Sequence, residues 1–223
     1  MISKIIECLC SLAEKKRERY KQRKQKRLKN PAPTIICNNC VGGTIYRDLN
    51  LPYYSPTAYV LIQMSDFFRF VSDLEYYLTC IPEESFLEGV TYPVGVLRKG
   101  SEAVVLRFMH ETDFETAKEK WIRRCGRVDF DNLYIVLNQT FANNRIFLSK
   151  RNMWYKEFKK IQHPHKRMLV NVWMSYDKEI IPLGIWSFIR KKTGSVLDYP
   201  TRFSKKRRMD RFDYVSFLNE KEM

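Results

Sequence analysis

The sequence predicts an α/β protein: a three-layer sandwich about a mostly parallel or mixed central sheet, preceded by a basic amphipathic helix. Three observations lead there. Short apolar runs alternate with segments of helical periodicity, the order that builds βαβ crossovers. One of those runs, Leu133-Tyr134-Ile135-Val136-Leu137, is nearly continuous, which suits a parallel strand covered on both faces. The runs also end in polar groups, and in open α/β sheets the ligand sits outside the carboxyl ends of the strands.

Residues 1–29 read as one helix, stopped by Asn30-Pro31-Ala32-Pro33. Ile2, Ile5, Ile6, Leu9 and Leu12 recur at helical spacing, and the stretch from Lys15 to Lys29 is almost solidly basic. Lys4 and Glu7 interrupt the apolar part too early for a signal-peptide core. Such a helix suits an anionic membrane surface, where cations meet headgroups and aliphatics insert beside them. The other reading is a solvated arm whose apolar end packs on its own domain. On this division residues 1–33 are helix and linker, and residues 34–223 form a single α/β domain.

The domain opens with the stretch around which the rest is organised. Thr34-Ile35-Ile36-Cys37 is an apolar run that ends in Asn38, Asn39 and Cys40, followed by Gly42-Gly43 and a helical piece from Thr44 to Leu49. The aromatic turn Pro52 to Pro56 precedes a second strand over Ala58–Ile62. Ser65 or Asp66 is expected to cap a helix carrying Phe67, Phe70, Val71, Leu74 and Leu78 on one face. Pro82 to Gly89 reads as a loop, and Tyr92 to Leu97 leads into a hairpin-like Lys99-Gly100-Ser101. The third main strand, Ala103 to Met109, ends at His110.

Thr112 and Glu115 fit a capping box for a helix whose inner face is Phe114, Ala117, Trp121 and Cys125. The Leu133–Leu137 strand ends at Asn138-Gln139-Thr140, Trp154 to Ile161 reads as helix, and a strand from Met168 to Met174 ends at Ser175 and Asp177. Residues 190–211 read as a basic loop, with Asp213 to Leu218 packing back.

Composition narrows the function. The formal charge of +15 is concentrated at the ends, with a net +8 in residues 1–33 and +7 in residues 190–211, while residues 34–189 carry only +2. That distribution argues against a domain whose whole surface is a nucleic-acid groove, so nucleic acid is not the expected partner. Six cysteines in 223 residues, without a secretory signal, indicate reduced cytoplasmic thiols. No run approaches the roughly 18 apolar residues needed to span a bilayer. The expected location is the cytoplasm, peripheral at the inner membrane face.

The strand ends supply the candidate chemistry. Cys40 and His110 suit a nucleophile and base pair, the thiolate being favoured by the amides of a following helix. His110 alone also suits a general base acting on a sugar hydroxyl. Asn38, Asn39, Tyr46, Ser55 and Asn138 are candidate substrate-binding groups, with Gly42 and Gly43 offering backbone amides to a phosphate. The glycines lack the lysine and spacing of a P-loop and the third glycine of a dinucleotide fingerprint. Cys37-x-x-Cys40 has no second pair with zinc spacing beyond His163-Pro164-His165, so neither a metal nor a cofactor is expected.

The run Thr34 to Tyr46, then Asp48-Leu49 and Tyr54-Ser55-Pro56-Thr57, resembles the opening signature of a bacterial domain of unknown function. Members of that family are commonly labelled exopolysaccharide or capsular polysaccharide biosynthesis proteins. The resemblance continues through Asp66-Phe67, Tyr76-Tyr77-Leu78, Tyr92-Pro93-Val94-Gly95, Phe108-Met109-His110, Ala117 to Trp121 with Arg124, and Phe212 to Val215 before Leu218-Asn219. It implies a compact α/β protein of surface-glycan assembly and brings no catalytic residues with it. The family tends to show serine where this chain has Cys37, and a Thr-Asp-Arg-Asp-Gly-like turn where this chain has Asn138-Gln139-Thr140-Phe141. The resulting expectation is a glycosyl- or acyl-transferase acting on a nucleotide- or lipid-linked sugar. The alternative is a non-catalytic module that recruits or regulates glycan-assembly enzymes at the membrane.

Overall fold

The computed structural model describes residues 2–139, 153, 156–163, 165–170 and 197–220. Its strands form two sheets where the sequence predicts one. Strands β1 (Thr34–Cys37), β6 (Leu133–Gln139) and β7 (Lys166–Val170) run parallel in the order β1-β6-β7. Strands β2 (Leu61–Ile62), β3 (Glu83–Ser85), β4 (Val94–Lys99) and β5 (Glu102–Arg107) form an antiparallel sheet in the order β2-β5-β4-β3.

The difference has a local cause. Lys99 pairs with Glu102, so Gly100-Ser101 is a two-residue hairpin turn, with Gly100 at φ +58 supplying the left-handed conformation such turns need. A hairpin that short forces antiparallel neighbours. Glu83–Ser85, read as loop in the sequence, pairs with Val94–Val96 at the sheet edge, and the second strand shrinks to Leu61–Ile62. One backbone bond stitches the sheets together: Ile62 N–H donates to the Asn38 carbonyl at 2.9 Å.

The β1/β6 pair is buried on both faces, as its unbroken apolar pattern requires. Ile36, Ile135 and Leu137 join one core with Phe67, Phe70, Trp121 and Leu106. Ile35, Cys37, Tyr134 and Val136, one residue out of step, join a second core with Val41, Ile45, Tyr46, Val215 and Phe217. Helix α2 (Cys40–Leu49) and helix α6 (Tyr214–Asn219) supply that second core, and α2 ends on Asn50, whose φ of 56 makes it a left-handed cap.

The expected helix after Ser65 is two helices, α3 (Met64–Ser72) and α4 (Leu74–Thr79), broken at Asp73. Asp66 does not cap; it accepts from the Val105 amide at 3.2 Å and pairs with Arg69. Helix α5 (Phe114–Cys125) is capped by Asp113, which accepts from the Thr116 amide, in place of the expected Thr112–Glu115 box. Its inner face is Phe114, Ala117, Trp121 and Arg124, with Cys125 only half-buried. Residues 156–160 are helical, within the stretch read as helix. Thr140 and the expected strand end at Ser175 and Asp177 lie outside the described residues.

Helix α1 (Ile2–Arg27) is long, as its periodicity predicts, and its two halves differ. The second half is fastened to the domain. Lys24 is buried against Asp210 and the Tyr214 hydroxyl, Arg17 donates to the Ser204 carbonyl at 3.0 Å, and Gln25 donates to the Asp48 carbonyl at 2.9 Å. In the first half Ile5, Leu9 and Leu12 are exposed. The basic segment after residue 196 is likewise anchored: Arg207 and Asp210 are buried, beside a short 3-10 turn over Arg208–Arg211.

Candidate active site

Cys40 and His110, 70 residues apart, meet: the Cys40 Sγ lies 3.1 Å from the His110 Nε2. Cys40 is the first residue of α2, placed there because Asn39 caps the helix by accepting from the Val41 amide at 3.0 Å. His110 follows β5 in a turn closed by the Glu111 amide on the Phe108 carbonyl. The stitch between Ile62 and Asn38 explains the meeting. Leu61 pairs with Arg107, so the end of β5 is carried to the end of β1 and the start of α2.

Tyr59 forms the back of this pair. Its ring stands edge-on to the His110 imidazole, with centroids 5.1 Å apart, and reaches across to Tyr53 at 5.8 Å. Its φ of 66 places an aromatic residue in a region costing about 1–2 kcal/mol for an L-residue. The preceding carbonyl, that of Ala58, accepts from the buried Arg124 guanidinium at 3.0 Å, and that guanidinium also lies over the Tyr53 ring. Neither Tyr59 nor Arg124 carries a signal in the sequence that marks it as a site group. Tyr59 sits in an apolar run that reads as strand, and a left-handed conformation at tyrosine leaves no compositional signal.

Burial pushes the Cys40 thiol above its ordinary range, while its own backbone amide at the helix start draws it back. Burial thus favours the thiol over the thiolate, and in the tautomer that leaves Nε2 without a hydrogen the thiol donates to it. This arrangement hands a proton from sulfur to imidazole as the sulfur attacks an electrophile. Burial pushes the fully buried Cys37 thiol up to about 12, which disfavours its reactive thiolate. Among the described residues no cluster of three or more His, Cys, Asp or Glu side chains is placed to hold a metal ion.

The other expected site residues divide. Asn38 and Asn138 do meet at the carboxyl ends of β1 and β6, but the buried Asn38 amide is spent on the Asn138 backbone. It donates to the Asn138 carbonyl at 3.0 Å and accepts from its amide at 2.8 Å, prolonging the ladder by one rung. Asn39, half-buried, is the cap and also reaches the Asn138 carbonyl at 3.4 Å.

Gly42 and Gly43 lie in the first turn of α2, not in a turn that precedes it, and are buried. A Cβ on Gly42 would sit 2.8 Å from the Cys37 Cβ, and one on Gly43 would sit 2.7 Å from the Tyr59 ring. Their role is close approach. Tyr46 is fully buried, its hydroxyl accepting from the Ile35 amide at 2.7 Å and donating to the Pro33 carbonyl at 2.8 Å. Ser55 is fully buried and bonded to Thr57 at 2.9 Å. Both are core polar groups satisfied by protein, which is why neither faces the rim.

Fold and site together define an α/β protein with a thiol–imidazole pair at the junction of a parallel and an antiparallel sheet. The chain belongs to the family described as Domain of unknown function (DUF1919), whose model matches residues 12–219. It is 28% identical over 210 residues to an uncharacterized protein of Haemophilus influenzae, covering 93% of this chain and 95% of that one.

Proposed function

We propose that this protein is a transferase of capsular or exopolysaccharide assembly that carries an acyl group on Cys40. The observation behind this reading is the 3.1 Å contact between the Cys40 Sγ and the His110 Nε2 at the start of a helix. In the first step the thiol proton passes to Nε2, the sulfur bonds to the acyl carbonyl, and the donor leaves with that proton. In the second step an acceptor hydroxyl gives its proton to Nε2 and its oxygen displaces the sulfur, restoring the thiol. A thiol that burial holds toward its protonated form needs a base within reach during attack, and the His110 Nε2, 3.1 Å away, supports the reading of His110 as that base. The cytoplasm, where thiols stay reduced, fits this use of cysteine.

The reading of His110 as sole base for glycosyl transfer uses the same imidazole but leaves Cys40 idle. The two separate in one experiment. Purified protein is incubated with labelled acyl thioesters, or with nucleotide sugars, and a membrane glycan fraction. Acyl label in glycan, lost in Cys40→Ala, is the expected result. Sugar transfer that persists in Cys40→Ala would overturn it.

A specific observation favours the non-catalytic alternative: burial holds the Cys40 thiol above its ordinary range, which slows a nucleophile that acts without its base. On that reading neither label is transferred, and glycan-assembly enzymes bind the domain directly.

A further inference from the structure

Helix α1 carries a stripe that the fold leaves uncovered. With about 100° between successive residues, Ile5, Leu9, Leu12, Lys16, Arg19 and Arg23 fall within roughly 40° of one line along the helix. All six are exposed. The face that packs on the domain lies elsewhere: Ala13 and Lys24 are buried, and Arg17 holds the Ser204 carbonyl. The three acidic residues of the helix, Glu7, Glu14 and Glu18, project from the side away from the stripe. Three aliphatics are thus followed by three cations in a single row, with no carboxylate among them.

We propose that this stripe docks on an anionic membrane surface. The aliphatics enter the boundary between headgroups and acyl chains, and Lys16, Arg19 and Arg23 lie on lipid phosphates. Charge decides among partners. A second copy of the same stripe would bring like charges together, and a nucleic-acid backbone would leave Ile5, Leu9 and Leu12 in water. A membrane interface takes both halves. Because Lys24 and Gln25 bind the helix to the domain and to the end of α2, the helix docks as part of a rigid body. Among the described residues no helix is long and apolar enough to cross a membrane, so the contact is peripheral. The proposal does not depend on the acyl-transfer reading.

The full-length chain is sedimented with vesicles of phosphatidylcholine alone and with vesicles that also contain phosphatidylglycerol. Binding to the anionic vesicles only is expected. The variant Lys16→Ala/Arg19→Ala/Arg23→Ala should weaken it on the order of a hundredfold, as removal of three near-surface cations does. Leu9→Gln/Leu12→Gln should also weaken it, and circular dichroism should show every variant folded, since the changed side chains are exposed. The control Lys15→Ala/Lys21→Ala/Lys29→Ala removes as many charges away from the stripe and should weaken binding less. Equal losses in the two triple variants would overturn the proposal. So would failure to sediment with anionic vesicles, tighter binding to duplex DNA at the same ionic strength, or a dimer that Leu9→Gln/Leu12→Gln dissolves.

Discussion

Asp48 and Arg207, 159 residues apart, share a buried ion pair that fastens the basic C-terminal segment to the end of α2. Their side chains are 0% and 5% exposed, and Asp48 also accepts from the Tyr214 hydroxyl at 3.0 Å. Lys24 and Asp210 extend the network, which spans α1, α2 and α6. Removing one partner strands the other charge in the interior, which typically costs about 3–5 kcal/mol. Asp48→Asn should therefore lower the urea midpoint sharply, and Asp48→Asn/Arg207→Met should recover part of the loss. A double variant as unstable as the single one would contradict the pairing.

Asn38 tests the junction of the strands. Asn38→Ala leaves the Asn138 backbone amide without the Asn38 side-chain Oδ1 that it now meets at 2.8 Å. A buried unsatisfied donor costs about 1–3 kcal/mol, so the melting temperature should fall while the far-ultraviolet spectrum stays native. A Leu substitution, bulkier and equally unable to bond, should do no better.

Gly43→Ala places a methyl 2.7 Å from the Tyr59 ring, inside contact distance. Overpacking of this kind costs about 1–3 kcal/mol. Because the same ring stands against His110, the variant should also lose more activity than its stability change explains. Kinetics and denaturation measured on one preparation separate the two effects.

Thiol reactivity should follow environment. Iodoacetamide at neutral pH should label exposed Cys8 before Cys40, and Cys37 and Cys125, each pushed up to about 12 by burial, last. Labelling of Cys40 should rise with pH through a midpoint above the ordinary thiol value of about 8.5, as burial requires. Site-resolved mass spectrometry reads the order; Cys40 labelled ahead of Cys8 would show a thiolate at rest.

Asp113 ties helix α5 to pH. The Thr116 amide, and then its hydroxyl, hold the Asp113 carboxyl below its ordinary range. A carboxyl depressed by folding adds stability that is complete above its unfolded pKa, about 3.9, and is lost as pH falls through the lower folded value. Acid should therefore destabilise the wild type more than Asp113→Asn, most visibly below about pH 4. Parallel acid titrations followed by circular dichroism check this.

The sequence disclosed what rests on local pattern. Helix α1, β1, β6, the helix α5 and the return of residues 213–218 follow from periodicity and flanking signals, and the structure has them in place. It could not disclose sheet partners. The turn at Gly100 is legible in the sequence, yet the alternation of strands and helices points to one mostly parallel or mixed sheet. For the site, Cys40 and His110 were legible as residue types at strand ends, while their contact depends on the Ile62–Asn38 stitch, a tertiary event. Tyr46, Ser55 and Asn38 looked available because polar side chains beside a turn usually face water. Here the protein itself claims them: the Ile35 amide and Pro33 carbonyl bond Tyr46, the Thr57 hydroxyl bonds Ser55, and the Asn138 backbone bonds Asn38. Gly42 and Gly43 signal close approach, and the structure shows it toward Cys37 and Tyr59.

The most direct test of the central claim is the rate at which Cys40 is acylated by p-nitrophenyl acetate, followed by intact mass. In a Cys8→Ser background, which removes the exposed competing thiol, the expected result is an acetyl group on Cys40, formed with release of nitrophenol and cleaved by hydroxylamine. His110→Ala should slow it on the order of a hundredfold, the usual contribution of a positioned base. Acylation of Cys40 at the same rate with and without His110, or none at Cys40 at all, would contradict the account.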